Sequence, residues 1–311
     1  MRRYENRQLS WATSLCLTSP AVAVADACIT KEKDVEKLIP WVFQYSDTAE
    51  EDCTMSWPEV EYKFRHFFDE VSSYCAELKG QESSGTGVAS VLRASETVTL
   101  LTKNWKVSER EYFKHFIRWQ GVMLGMLMKT IYFSLGIKTQ DPNIQFALLG
   151  LKLKYVIGGK QFIARAEGAA TVDGLPIISY TGWFRKQTWS EFLGETLSVM
   201  LGQLAKNLSM QTGGAGSREQ EVFVIGFHGL YLHIARGLFT ASMISRVHSK
   251  GCSENEVFEL KFTQGYNLCS KKDWLEATRA LSRLYRYLLS GKAKVGAIQA
   301  YMQRGPDTTD A

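Results

Sequence analysis

The stretch from residue 158 to residue 233 constrains the fold more than any other part of the chain. Two apolar segments, residues 161–172 and 175–184, flank the dipeptide Asp173-Gly174, which is a strong β-hairpin signal. An amphipathic segment follows at residues 190–208, and residues 221–227 then have the composition of a strand. This order predicts a β-hairpin, a crossover helix and a return strand.

The composition is that of an ordinary globular protein. The chain has 311 residues, of which 45% are hydrophobic, so it can bury the core of one large or two modest domains. The net charge of +5 permits an acidic or phosphate-bearing partner without requiring one. The six cysteines show no spacing typical of a zinc site, which favours free thiols in a reducing compartment.

The N-terminus has features of a secretory signal without its full pattern. Arg2 and Arg3 precede a mildly apolar stretch that ends in small residues, but Glu5 lies early and Pro20 interrupts the apolar run. We therefore expect an intracellular protein of the cytoplasm or nucleus, with secretion as the alternative. Residues 121–137, the longest apolar segment, are broken by Lys129, so no membrane span is expected.

The first part of the chain, residues 1–140, is predicted to be mostly helical. Residues 32–45, 57–78 and 108–135 place apolar side chains at helical spacing, with Val60 and Phe64 in the stripe of the second segment. Pro40 should interrupt the first of these helices. Ser108 and Glu111 have the spacing of a capping box at the start of the third.

Residues 146–300 are predicted to form an α/β (α+β) domain with a mixed sheet. Beyond the hairpin and crossover helix, strands are expected at residues 146–157, 222–227, 230–235, 239–244 and 257–262. An amphipathic helix at residues 271–290 closes this domain, and residues 305–311 form a polar tail that we expect to fray.

Glu167 is the first candidate for chemistry. It lies on the first hairpin strand among small residues, which leave room for a cation, and Mg²⁺ prefers oxygen ligands such as a carboxylate. The competing interpretation is a solvated strand carboxylate paired with Arg165 or Lys160. A single carboxylate rarely makes a magnesium site, so Glu195 of the crossover helix is the candidate second acid.

The second hairpin strand offers little to a hydrolytic site. A metal-dependent phosphodiesterase needs several oxygen ligands and a group that orients the attacking water, yet the strand supplies Ser179, Tyr180, Thr181 and Gly182. The sequence Glu259-Leu260-Lys261 contains an acid-x-lysine, but no hairpin acid precedes it, so we do not place the site there.

Basic side chains in two places are candidates for contacting nucleic acid. Arg185 and Lys186 follow the second hairpin strand, and Lys271 and Lys272 begin the last long helix. The competing interpretation is that these cations are ordinary solvated surface groups.

His228 and His233 are not expected to bind a metal together. Their odd spacing places them on opposite faces if they share one continuous strand. The sequence contains no P-loop, dinucleotide fingerprint or nucleophile elbow.

The order of elements resembles the PD-(D/E)XK nuclease superfamily, and within it the fungal nuclease-like proteins. The resemblance is carried by the stretch from Glu167 to Tyr180, the helix around Glu195 and Gln203, the segment from Val222 to Leu232 and the ending from Arg286 to Gly296. It covers about the C-terminal half of the chain, and its motifs have low to moderate specificity.

The resemblance implies a restriction-endonuclease-like core in which Glu167 would be the first metal acid. The tripeptide Tyr180-Thr181-Gly182 would then stand where the family has its acid-x-lysine, and it does not match. We therefore expect a divergent, catalytically impaired nuclease-like protein that contacts nucleic acid; if active, it would be a Mg²⁺-dependent phosphodiesterase. The alternative is a protein–protein interaction or regulatory module, such as a fungal effector, that keeps the fold as a scaffold.

Overall fold

The protein has a mixed α/β fold with a mostly antiparallel sheet. The structure, a computed structural model, describes residues 35–49, 56–79, 95–99, 114–136, 142–184, 187–209, 218–252 and 257–304. Within these residues it contains six α-helices and ten strands. No helix in the described ranges is long and apolar enough to span a bilayer.

The elements follow one another along the chain with these bounds. The helices are α1 (Arg65–Lys79), α2 (Lys114–Ser134), α3 (Trp189–Leu208), α4 (Ala241–Lys250), α5 (Lys271–Leu289) and α6 (Gly296–Arg304). The strands are β1 (Ser95–Thr99), β2 (Ile144–Ala147), β3 (Leu151–Ile157), β4 (Lys160–Ala166), β5 (Gly168–Val172), β6 (Leu175–Gly182), β7 (Gln220–His228), β8 (Tyr231–Phe239), β9 (Val257–Phe262) and β10 (Tyr266–Asn267).

Eight of the strands form the main sheet. Its order is β1-β9-β8-β7-β6-β5-β2, and β10 pairs with β8. Strands β6 and β7 are parallel, and the other strand pairs are antiparallel. Helix α3 connects β6 to β7, so the predicted hairpin, crossover helix and return strand are confirmed.

Local chemistry explains the ends of the hairpin and the start of the crossover helix. Asp173 and Gly174 both adopt positive φ angles, 51° and 74°, as a tight two-residue hairpin turn requires. The Thr188 side chain accepts a hydrogen bond from the Glu191 backbone N–H, and the Glu191 carboxylate accepts one from the Thr188 backbone N–H. This capping box satisfies donors at the first turn of α3 that would otherwise have no partner.

The sheet separates two apolar cores. Helices α1, α2 and α5 contribute to the core on one face, around the fully buried Trp274, and α3 and α4 contribute to the core on the other. We call these the α2 face and the α3 face. Buried apolar area is the main stabilising contribution on both sides.

Strands β3 and β4 form a separate two-stranded ribbon that covers the outer side of α3. Leu153 of the ribbon is so close that a Cβ on Gly202 of α3 would lie 2.5 Å from the Leu153 Cβ. The Tyr155 hydroxyl and the Ser198 hydroxyl are 2.7 Å apart in the same contact. Helix α3 is therefore enclosed between the sheet and the ribbon, which explains why nearly every residue from Phe192 to Leu204 is buried.

Four predictions about the elements are wrong. Residues 161–172 are not one hairpin strand, because β4 ends at Ala166 and β5 begins at Gly168, which leaves Glu167 between two strands. Residues 146–157 are not one strand, because β2 ends at Ala147 and the ribbon begins at Leu151. Residues 239–244 are not a strand: Thr240 accepts a hydrogen bond from the Met243 backbone N–H and caps the start of α4. Val60 does not belong to an apolar stripe, since it is 84% exposed and α1 begins only at Arg65.

Some of the predicted features lie outside the described residues, and others differ from the prediction. The N-terminal segment 1–34, the proposed cap at Ser108 and the tail 305–311 are outside. After Pro40 only a short 3₁₀ turn, Trp41–Phe43, follows. The mostly helical first part also supplies β1, which pairs with β9 at the edge of the main sheet.

Candidate functional site

The candidate site lies where the parallel strands β6 and β7 end. Glu167, between β4 and β5, donates its backbone N–H to the Tyr180 carbonyl at 2.8 Å, which fixes it beside the last residues of β6. Its side chain is buried, with 6% of the residue exposed. A Cβ on Gly121 of α2 would lie 2.6 Å from the Glu167 Cβ, so α2 approaches this point as closely as a glycine allows.

The end of β6 carries neutral side chains where a nuclease would need acids and an ammonium group. The Ser179 hydroxyl donates to Gln203 Oε1 of α3 at 2.6 Å. Tyr180 is fully buried, and burial holds its pKa well above the ordinary value, so the phenol stays neutral. Thr181 is buried as well, and Gly182 has no side chain. None of these four residues is a hard anionic ligand.

Gln120 of α2 fixes the end of β6 through both ends of its amide. Its Nε2 donates to the Tyr74 hydroxyl at 2.9 Å and to the Trp183 carbonyl at 2.8 Å. Its Oε1 accepts the Trp183 backbone N–H at 2.8 Å. Gly182 leaves the space for this contact, since a Cβ there would lie 2.7 Å from Gln120 Oε1. The sequence analysis missed Gln120, because a single glutamine in a helical apolar stripe gives no signal.

Glu195 is positioned by a residue just before the crossover helix. Gln187 Nε2 donates to the Glu195 carboxylate at 2.8 Å. Within the described ranges, no group of three or more His, Cys, Asp or Glu side chains is arranged to hold a metal ion, and Glu167 and Glu195 therefore belong to no such group.

The two histidines lie on the same face of the sheet, so the expectation of opposite faces is wrong. The chain turns at Gly229 (φ 56°), which puts His228 on β7 and His233 on β8. The register pairs Thr181 with Gly226 and Gly226 with His233, forming one row across β6, β7 and β8. Directly paired residues share a face, and this row faces α3.

Apolar and aromatic groups surround both imidazoles. The rings of Trp183 and His228 are 4.0 Å apart between centroids, and those of Phe192 and His233 are 5.2 Å apart. Burial lowers the pKa of His228 to about 4, against a smaller opposing effect of its own backbone. Burial, and then the nearby His228, lower the pKa of His233 to about 3. Both rings are neutral at neutral pH.

Several buried polar atoms around the histidines find no hydrogen-bond partner among the described residues. They are Thr181 Oγ1, Trp183 Nε1, His228 Nε2 and both ring nitrogens of His233. Buried polar atoms of this kind are costly. The arrangement is a neutral polar cluster, suited to hydrogen bonding and not to holding a hard cation.

The predicted nucleic-acid contacts separate into two groups. Arg185 and Lys186 lie outside the described residues. Lys271 lies 3.7 Å from Asp47 in an exposed ion pair, and Lys272 is exposed on the same first turn of α5. Helix α5 packs on the α2 face of the sheet.

The acid-x-lysine tripeptide Glu259-Leu260-Lys261 lies on β9. Three strands separate β9 from β5 in the sheet. Its acid and lysine are both exposed. The structure thus keeps this tripeptide away from Glu167.

Comparison with known proteins gives no assignment. No family model matches this chain, and no curated protein is significantly similar to it.

Proposed function

We propose that the protein is a divergent nuclease-like protein, with a restriction-endonuclease-like core, that contacts nucleic acid without cutting it efficiently. The observation that carries the proposal is the connection of the hairpin β5–β6 through α3 to β7, which lies parallel to β6. Glu167 stands beside the end of that hairpin, where the resemblance to PD-(D/E)XK proteins calls for the first metal acid.

The residues at the end of β6 support the loss of cleavage. Efficient phosphodiester hydrolysis with Mg²⁺ needs several oxygen ligands and a group that orients the attacking water. Ser179 is engaged with Gln203, and the Glu195 carboxylate accepts from Gln187. The tripeptide Tyr180-Thr181-Gly182 supplies no acid-x-lysine beside Glu167.

A cleavage assay tests the catalytic half of the proposal. The full chain is incubated with linear double-stranded DNA, single-stranded DNA or RNA in the presence of Mg²⁺ or Mn²⁺. We expect no cutting above background. Cutting that disappears in Glu167→Gln and persists in the control Glu259→Gln would instead make the protein an active nuclease. Glu259 is a suitable control because it belongs to the exposed acid-x-lysine on β9.

A binding assay tests the nucleic-acid half. We expect the full chain to bind duplex or single-stranded nucleic acid with an affinity that falls as salt rises, because released counterions drive binding to phosphates. No binding at low salt would remove the nucleic-acid proposal.

A protein-binding role is the second candidate, and one observation favours it. Tyr45, Val60 and Tyr62 are 83%, 84% and 76% exposed, a high exposure for large apolar side chains in one part of the chain. Large contiguous exposed apolar patches mark interaction sites, so this candidate requires the three side chains to act as one surface. If this candidate is correct, substituting the three residues with serine should abolish binding to a protein partner. The same substitutions should leave nucleic-acid binding unchanged.

A further inference from the structure

The outer face of the β3–β4 ribbon is basic. The register pairs Lys152 with Arg165 and Lys154 with Ile163, and these four side chains are exposed. The alternate residues, including Leu153 and Ala164, face inward and are buried against α3. The ribbon's packing against the protein therefore uses one face only and leaves the cations outside.

The outer face of the ribbon places like charges side by side. Like charges directly opposite one another on paired strands are destabilising, and Lys152 and Arg165 are such a pair. The ribbon sequence from Leu151 to Ala166 contains four basic residues and no acidic one. A run of exposed cations with this composition suits the binding of a polyanion.

Helix α4 extends the basic surface. The Gly158 backbone N–H at the ribbon turn donates to the Val247 carbonyl of α4 at 3.1 Å. Arg246 and Lys250 of α4 are exposed, and the helix contains no acidic residue. A groove of about 400 Å³ runs between the ribbon and α4, and Lys154 and His248 are the lining residues that can carry a positive charge.

The positive charge of the whole protein is concentrated on these two elements. Ribbon and helix together carry six lysines and arginines and no acid, compared with a net charge of +5 for the chain. The remainder of the chain is therefore close to neutral. A charge concentrated in this way steers and holds an anionic partner much better than the same charge spread over the surface.

We propose that the outer face of the ribbon, flanked by α4, binds the phosphate backbone of duplex nucleic acid. This inference rests on the proposed function and names the surface that carries it. A duplex is favoured because the major groove admits a two-stranded β-ribbon, and this ribbon stands apart from the main sheet. Arg165, next to the end of β4, precedes Glu167 by two residues, about 7 Å of extended chain, so a duplex on the ribbon would pass close to the degenerate site.

The test compares two triple variants that remove the same charge. Lys152→Gln, Lys154→Gln and Arg165→Gln together neutralise the ribbon face. Lys37→Gln, Lys129→Gln and Lys292→Gln remove three exposed lysines elsewhere, none of them a predicted nucleic-acid contact. Binding to a 20-base-pair duplex of random sequence is measured between 50 and 300 mM salt, and circular dichroism checks that each variant is folded.

The expected result is a loss of at least about tenfold in affinity for the ribbon variant only. The slope of log affinity against log salt should also fall by about three, one unit for each phosphate contact removed. Equal losses in both triple variants would overturn the inference, since they would reflect total charge and not a surface.

Two further outcomes separate this inference from the proposed function. If the parent binds the duplex and the ribbon variant binds equally well, the ribbon surface is wrong while the proposed function stands. If the parent binds no nucleic acid, both fail. Ribbon-dependent binding to vesicles with 30% phosphatidylserine, without duplex binding, would also overturn the inference, because the surface would then be a membrane contact.

Discussion

The imidazole of His233 lies directly over Gly226 of the neighbouring strand. A Cβ on Gly226 would come within 2.0 Å of His233 Nε2. The two residues are register partners in the row that ends at Thr181, so the missing side chain is what admits the ring. The buried polar cluster at the ends of β6 and β7 depends on this contact.

Gly226→Ala should therefore destabilise the protein. The new methyl group must displace the buried ring, and overpacking of this kind costs about 1–3 kcal/mol. Urea denaturation measures the change in the free energy of unfolding. Gly150→Ala is the matched control, because its Cβ would lie 3.4 Å from the Ala166 carbonyl oxygen in an exposed position. Equal effects of the two substitutions would contradict the close contact.

Stability should fall as the pH is lowered from about 6.5 towards 4. The folded pKa values of His228 and His233 are lowered to about 4 and about 3. Between those values and the unfolded pKa near 6.5 the unfolded chain binds more protons, so acid favours unfolding. The stabilisation by the two neutral imidazoles is fully present above the pKa of the unfolded chain. It is lost as the pH falls through the pKa values of the folded protein.

The slope of stability against pH measures this effect. Each histidine should contribute at most about 1.4 kcal/mol per pH unit inside that window. His233→Gln should reduce the slope between pH 6 and 5, and the exposed His248→Gln should retain the parental slope. An unchanged slope in His233→Gln would contradict the burial of a neutral imidazole.

Gln120→Leu should loosen the end of β6. It leaves the Tyr74 hydroxyl and the Trp183 carbonyl without the Gln120 donor, and an unsatisfied buried group costs about 1–3 kcal/mol. The Trp183 N–H loses its 2.8 Å acceptor and keeps only the longer hydrogen bond to the Phe227 carbonyl, at 3.2 Å. We expect a loss of about 3 kcal/mol in unfolding free energy and faster hydrogen exchange at the Trp183 amide. Gln145→Leu, at an exposed position of β2, is the control. Unchanged exchange at Trp183 in the Gln120 variant would argue against its positioning role.

Arg236→Met should destabilise far more than loss of a surface pair. Glu221 is 2% exposed and accepts from Arg236, from the Tyr287 hydroxyl and, at 3.0 Å, from the Lys294 backbone N–H. Removing the cation leaves a buried carboxylate without its counter-charge, which costs about 3 kcal/mol or more. Lys271→Met breaks the exposed pair with Asp47 and should cost less than about 1 kcal/mol. Thermal or urea denaturation measures the loss of stability in the two variants. A similar loss in both would contradict the difference in burial between the two ion pairs.

The hairpin and crossover helix could be predicted because their signals are local. Asp173-Gly174 specifies a turn by backbone preference alone, and Thr188 with Glu191 starts a helix through hydrogen bonds three residues apart. The strand predicted at residues 239–244 was wrong for a local reason as well. A cap at Thr240 outweighed the apolar composition of the residues that follow it.

The sequence by itself determined the order of the central elements, the hairpin turn and the neutral side chains at the end of β6, because each follows from residues that are neighbours along the chain. Only the tertiary structure decided that Gln120 holds Trp183, that Thr181, Gly226 and His233 form one row, and that the cations of β3–β4 and α4 share a surface. These relationships join residues far apart in sequence. Strand register and helix packing bring them together, and both are fixed by the burial of side chains across the whole core.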